Sequence, residues 1–173
     1  MDLISLYQNG VKNVVASSGT AFTEEQVQLL SRFTKNVILL FDADTAGQKA
    51  SMRSIELLLK QDFDVKIASL PKGEDPDSFI NNSGKEEFYN FLGNARNFLE
   101  YQTWQFEAAG MFEDPARQTE AIRELVKNAA LISDELKRNV TIKAISRKFN
   151  LREKLIETEL NKLLQQQSEK EGR

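Results

Sequence analysis

Two acidic pairs carry the chemistry open to this chain: Asp42 and Asp44 flank Ala43 directly after the apolar run Val37–Phe41, and Asp75 and Asp77 flank Pro76 shortly after Ile67–Leu70. Each pair stands where a buried strand would end. Ligands of parallel α/β sheets collect beyond the carboxyl ends of the strands, so four carboxylates can converge there. Held that close, like charges repel by roughly a kcal/mol or more per pair at an effective dielectric of about 20, and a divalent cation relieves the repulsion. Oxygen donors without sulfur or imidazole select a hard ion, magnesium or manganese. A D-x-D pair after a strand also caps helices, and that reading stays open for Asp42 and Asp44, which Thr45 and Gly47 follow. The second pair is more specific, because Lys72-Gly73-Glu74-Asp75-Pro76-Asp77 concentrates charge where a plain turn needs one Asp and the Gly. On spacing alone Asp2 reads as the cap of a first helix, with a fifth carboxylate of the cluster as the alternative.

The residue types that are missing narrow the chemistry further. The 173 residues include no cysteine and no histidine, which removes disulfides, thiolate nucleophiles, zinc sites and the usual neutral-pH general base. Proton transfer is left to carboxylates, Lys, Tyr or a metal-bound water. No apolar run approaches the roughly 18 residues of a membrane span, and residues 1–25 lack a basic start followed by an apolar stretch, so a cytoplasmic protein with no membrane partner is expected. Charge is divided along the chain: residues 1–112 hold 10 Lys and Arg against 15 Asp and Glu, and residues 113–173 hold 13 against 11. Lys137, Arg138, Lys143, Arg147, Lys148, Arg152 and Lys154, opposed there only by Glu153, form either a solvated helix face or a surface for a phosphate backbone.

The elements that must position the acidic pairs follow from periodicity. Residues 2–9 read as a helix with Leu3, Ile4, Leu6 and Tyr7 on one face and Gly10 as the stop, and Val14–Ala16 as a short strand. Thr23 with Gln26 makes a capping box for a helix presenting Val27, Leu30 and Phe33. The strand at 37–41, a helix from a Thr45 cap to about Gln61 that turns Ile55, Leu58 and Leu59 inward, and a strand at 65–70 complete an α/β alternation. From Pro76 onward only helical periods are found, over 78–82, 85–92, 95–109, 115–131, 134–149 and 152–167. The polar tail from Gln165 is expected to fray.

These segments resemble a known family. Met1-Asp2-Leu3-Ile4 to Gly10, Val15-Ala16-Ser17-Ser18-Gly19-Thr20-Ala21-Phe22-Thr23 with Gln26, Phe41-Asp42-Ala43-Asp44-Thr45-Ala46-Gly47 and Leu70-Pro71-Lys72-Gly73-Glu74-Asp75-Pro76-Asp77 match the catalytic Toprim part of bacterial DnaG-type DNA primases in order and spacing. The G-T-A-x-T-x-x-Q and G-x-D-P-D patterns are more specific to primases than to Toprim folds at large. The helical remainder is similar to the family's following helical subdomain in pattern only.

The resemblance implies a fold that is α/β followed by all-α: a partial Toprim domain, a Rossmann-like parallel sheet with flanking helices, over residues 1–94, and a helical bundle over 95–173. It implies that Asp42 and Asp44 are catalytic and that Asp42, Asp44, Asp75 and Asp77 hold Mg2+ or Mn2+, with Asp2 at the edge of the cluster. Partners implied are a single-stranded DNA template, an RNA primer, ribonucleoside triphosphates and, through a domain not in this sequence, a replicative helicase. Family members read Glu-Gly-Tyr-Met-Asp where this chain begins with Met-Asp. The expectation is therefore a primase fragment, inactive alone for want of that glutamate and prone to weak self-association along the sheet edge that its strand would cover.

Two other readings are open, one of them on the same residues. Val37-Ile38-Leu39-Leu40-Phe41-Asp42-Ala43-Asp44-Thr45 is similar to the first motif of haloacid dehalogenase-type phosphatases, although the Ser-Ser-Gly-Thr loop comes before it, in the wrong order. Thr141 to Leu164 has the apolar spacing of a DNA-binding helix-turn-helix, which a packed helical hairpin shares.

Overall fold

A small sheet stands ahead of the second acidic pair. The computed structural model of the protein describes residues 1–17, 22–41 and 45–171. Strands β1 (Asn36–Phe41) and β2 (Asp64–Ser69) pair in parallel from Asn36 opposite Asp64 to Phe41 opposite Ser69. Helix α3 (Thr45–Lys60) makes the crossover, as a parallel pair requires. Ile55, Leu58 and Leu59 are buried on it as expected, together with Ser54. Cover on both faces of the strands is partial, however. Ile38 and Lys66 are exposed, and consecutive burial begins only near the carboxyl ends, at Ile67 and Ala68.

The chain divides into two units, Met1–Leu58 with Phe63–Phe98, and Leu59–Asp62 with the chain from Leu99 onward. In the first, α1 (Asp2–Gln8) lies against α4 (Pro76–Gly93). Leu6, Val11, Ile80 and Phe88 form a buried cluster, with Val14, Leu40, Phe79 and Leu92 packed on it. Full burial of such a side chain contributes roughly 1.5–3 kcal/mol. Gly84, at φ 78 and ψ 172, breaks α4 into the two helical stretches that the periodicity predicts. The capping box of α2 (Glu24–Leu30) forms as expected: Gln26 N–H donates to the Thr23 hydroxyl at 3.3 Å, and Thr23 N–H to Gln26 Oε1 at 3.0 Å.

Several expectations are corrected. Residues 14–16 form no strand, and Val15 is exposed; three apolar residues cannot hold extended structure without a neighbour to pair with. Of the apolar residues on α1 only Leu6 is buried, while Leu3, Ile4 and Tyr7 are exposed. Phe33 lies beyond the end of α2 and is 81% exposed. A further strand does exist after Pro76: β3 (Arg96–Asn97) pairs antiparallel with β2, Lys66 opposite Asn97 and Ile67 opposite Arg96. It delays the start of α5 to Phe98 (α5, Phe98–Ala108). Two residues are too few to show any period.

The second unit is helical. Helices α6 (Pro115–Ala130), α7 (Glu135–Lys148) and α8 (Glu153–Glu171) pack on one another through Ala121, Leu125, Ala129, Ile142, Ile145, Ile156 and Leu160, all buried. Asp114 and Asp134 cap α6 and α7 by accepting from the N–H groups of Arg117 (3.0 Å) and Lys137 (2.7 Å). The α7–α8 turn passes through Asn150 at φ 52, a conformation Asn tolerates at a helix end. Inside the turn Ser146 Oγ donates to Leu151 O at 2.6 Å. The apolar spacing read as a helix-turn-helix is therefore that of a packed hairpin. The tail expected to fray continues as helix to Glu171, in keeping with the helix propensity of Gln, Glu and Lys. No helix among the described residues is long and apolar enough to cross a membrane.

Asp62, at φ 56, accepts from the N–H groups of both Ser133 and Asp134 at 3.0 Å. Asp62→Ala loses this clamp and keeps a strained Cβ, and should cost about 1–2 kcal/mol in urea unfolding. Asp62→Gly should cost less, since it relieves the backbone. Asn128 is 1% exposed, and neither amide atom has a hydrogen-bond partner. Asn128→Leu should therefore stabilise the protein by about 1–3 kcal/mol, read as a raised melting temperature.

Candidate functional site

The loop after β2 is built to aim Asp75 and Asp77. Leu70 is buried, and Pro71–Glu74 then forms a turn in which Glu74 N–H donates to Pro71 O at 3.0 Å. Gly73 takes the third position at φ 88, where a side chain would be strained. Asp75 follows in extended conformation as the N-cap of α4, with Pro76 at the first helical position. Its Oδ1 accepts from Ser78 N–H at 2.7 Å while Ser78 Oγ accepts from Asp75 N–H at 3.0 Å. The Ser78 hydroxyl also donates to Glu74 Oε2. The Ser78 backbone N–H, and then the Ser78 hydroxyl, hold the Asp75 carboxyl below the usual aspartate range.

Asp77 is held differently, by side chains. Its Oδ1 accepts from the Ser5 hydroxyl of α1 and from Asn81 Nδ2 at 3.1 Å. Asn9 Nδ2 donates to Asn81 Oδ1 at 3.2 Å and to Ser5 O at 3.0 Å. Ser5 and Asn9 are one helical turn apart, as are Asp77 and Asn81, so α1 and α4 run in the same direction with their polar stripes in register. Asp2 stands one turn ahead of Ser5 on that stripe. It is not the cap of α1: Met1 takes that position and makes no side-chain cap bond. Asp2 lies instead in the first turn, where its charge favours the positive end of the helix.

Asp42 and Asp44 lie outside the described residues, as does the Ser18–Ala21 part of the Gly-Thr motif. What is seen of the first acidic loop is its frame: β1 ends at Phe41 and α3 opens at Thr45. Asp75 caps α4 and Asp77 lies in its first turn, which opens seven residues past the end of β2. Among the described residues no three side chains of metal-ligating type converge, so Asp2, Asp75 and Asp77 do not form a centre by themselves. The donor set is nonetheless of one kind. Asp75 is ionised well below neutral pH, and Asp77 carries two donors on a single oxygen, both compatible with a hard cation. Ser5, Asn9 and Asn81 were not evident as site residues in the sequence, because a serine or asparagine on a short helix carries no signal of its own. The paired spacings 5/9 and 77/81 would have found them only once α1 was known to face α4.

Comparison with known proteins identifies the family. A family model described as Toprim-like matches residues 1–80. The DNA primase of Clostridium acetobutylicum is 40% identical over 170 residues, covering 94% of this chain. The chain spans 28% of that protein's length. Among solved structures, a DNA primase domain from Pseudomonas aeruginosa superposes with a TM-score of 0.78 at 29% identity over 95% of this chain and 51% of the other. A DnaG primase catalytic domain bound to single-stranded DNA superposes with a TM-score of 0.74 at 27% identity, covering 85% of this chain and 48% of that one. Neither the dehalogenase nor the helix-turn-helix reading gains support.

The cap at Asp75 has a pH signature. The folded-state value of Asp75 is lowered, so its contribution to stability is complete above the unfolded aspartate value of about 3.9 and is lost as pH falls through the lower folded value. Acid titration followed by exchange of the Ser78 amide should show this loss of protection. Asp75→Asn, which still caps, should remove that step while keeping protection at neutral pH.

Proposed function

The chain belongs to the bacterial DnaG-type DNA primases, and from that premise we propose that it contributes the metal-holding acidic loops for synthesis of RNA primers on a single-stranded DNA template. Asp42, Asp44, Asp75 and Asp77 would hold the divalent ion, with Asp42 and Asp44 nearest the chemistry and Asp2 at the rim. The observation that carries the reading is the 40% identity to a primase over nearly the whole chain. It is supported by an all-oxygen donor set in a chain without His or Cys. Magnesium or manganese, when bound, supplies Lewis acidity toward the primer hydroxyl and neutralises the triphosphate.

The chain's own residues hold and orient the carboxylates. The Ser78 cap fixes the Asp75 carboxylate at the start of α4 and holds its titration below the usual aspartate range. The first turn of α4 fixes the separation of Asp75 from Asp77, and the α1 stripe restrains Asp77 from the side. This chain has no histidine, so within it acceptance of the hydroxyl proton is open to carboxylates, Lys, Tyr or a metal-bound water. The single-stranded DNA, RNA primer and ribonucleoside triphosphate partners follow from the same reading.

The test is substitution of the first acidic pair. When this segment replaces its counterpart in the Clostridium acetobutylicum primase, primer synthesis should be retained. Asp42→Ala or Asp44→Ala in that chimera should lower it by about a hundredfold or more, since positioned charge stabilisation of this kind contributes on that scale. Primer yield unchanged by either substitution overturns the assignment.

A further inference from the structure

We infer that Ser5, together with Asn81, is a positioning residue that sets the orientation of the Asp77 carboxylate toward the bound cation; this rests on the metal-holding reading of Asp77. Both donors meet the same oxygen. The Ser5 hydroxyl arrives from α1 and the Asn81 amide from the next turn of α4, and both end on Asp77 Oδ1. A carboxylate oxygen that accepts two hydrogen bonds is restrained in both of its side-chain rotations, and the other oxygen is thereby directed. A ligating carboxylate needs that restraint, because outer hydrogen bonds orient metal ligands and their loss typically weakens metal binding by 10- to 100-fold.

The network shows which way each group points. Asn9 donates to Asn81 Oδ1 at 3.2 Å, which turns the Asn81 nitrogen toward Asp77. Asn9 also donates to the Ser5 carbonyl at 3.0 Å, joining the two supports of Asp77 through one amide. Ser5 and Asp77 are both half-buried, so water competes less for the bond between them than at a fully exposed site. Leu6 and Ile80, 3% and 0% exposed, lock the two helices beside the network. The Ser5 backbone therefore cannot move away from Asp77 without disturbing a packed core. Asp75 has no such support from α1, since its bonds are made within the first turn of its own helix. The two aspartates of one motif are thus divided in role: one shapes the helix start, and the other is aimed by a second helix.

The test measures Mn2+ binding to the intact chain by electron paramagnetic resonance, with melting temperature recorded for every variant. Wild type should bind saturably and Asp77→Ala should weaken binding, which secures the underlying reading. Ser5→Ala should then weaken Mn2+ binding about tenfold at a near-constant melting temperature, and Ser5→Thr, which keeps a hydroxyl, should restore it. Asn81→Ala should weaken it as well, and further in combination with Ser5→Ala. Wild-type affinity in Ser5→Ala, alongside a weakened Asp77→Ala, overturns the positioning role and leaves the metal-holding reading intact. Absence of saturable Mn2+ binding in wild type, or an Asp77→Ala variant that binds normally, overturns both.

Discussion

The packing of α1 along α4 is the contact on which the described part of the site depends. Its strength is apolar. Leu6, Val11, Ile80 and Phe88 are all nearly or fully removed from water, and each such burial outweighs the roughly 1 kcal/mol net contribution of a hydrogen bond. Register is set by the polar stripe beside it, since Ser5 with Asp77 and Asn9 with Asn81 pair only when the helices run parallel at one offset. Hydrophobic contact brings the helices together without choosing among neighbouring offsets, and the directional bonds make that choice.

The aspartates illustrate how one side chain does different work in different settings. Asp75, Asp114 and Asp134 each accept from an N–H three residues on and start a helix. Asp62 uses the same oxygen chemistry to tie residues distant in sequence. Asp77, in the first turn of α4, receives side-chain donors instead. Capping and metal binding are compatible at Asp75, because both require the ionised form and a carboxylate has more lone pairs than one cap consumes. The two readings of an acidic pair that the sequence leaves open therefore need not exclude each other.

In the second unit the basic residues of α7 and α8 surround a hairpin whose apolar residues are already committed to α6. Lys143 is paired with Glu153 at 3.6 Å, and Arg138 donates to the Ile132 carbonyl at 2.7 Å. At least part of this positive charge closes helix ends and turns, which is the ordinary use of such residues on a helical surface.

Periodicity and capping chemistry alone determined the α/β-then-helical order, the parallel pair of strands, the Thr23–Gln26 box, the separate helical periods at 78–82 and 85–92 and the inward face of α3. Each is a local property, written in a few adjacent residues. The pattern of Asp42, Asp44, Asp75 and Asp77 likewise announced oxygen-ligand chemistry and carried the family resemblance. Tertiary structure decided what no local window contains. It denied a strand at 14–16, added β3 because β2 offered an edge to pair with, and left Phe33 and the outer face of α1 exposed. It also moved the cap of α1 from Asp2 to Met1 and brought Ser5 and Asn81 to Asp77. Ser5 and Asp77 lie 72 residues apart, and a bond across that separation depends on how two helices pack rather than on the residues adjoining either one.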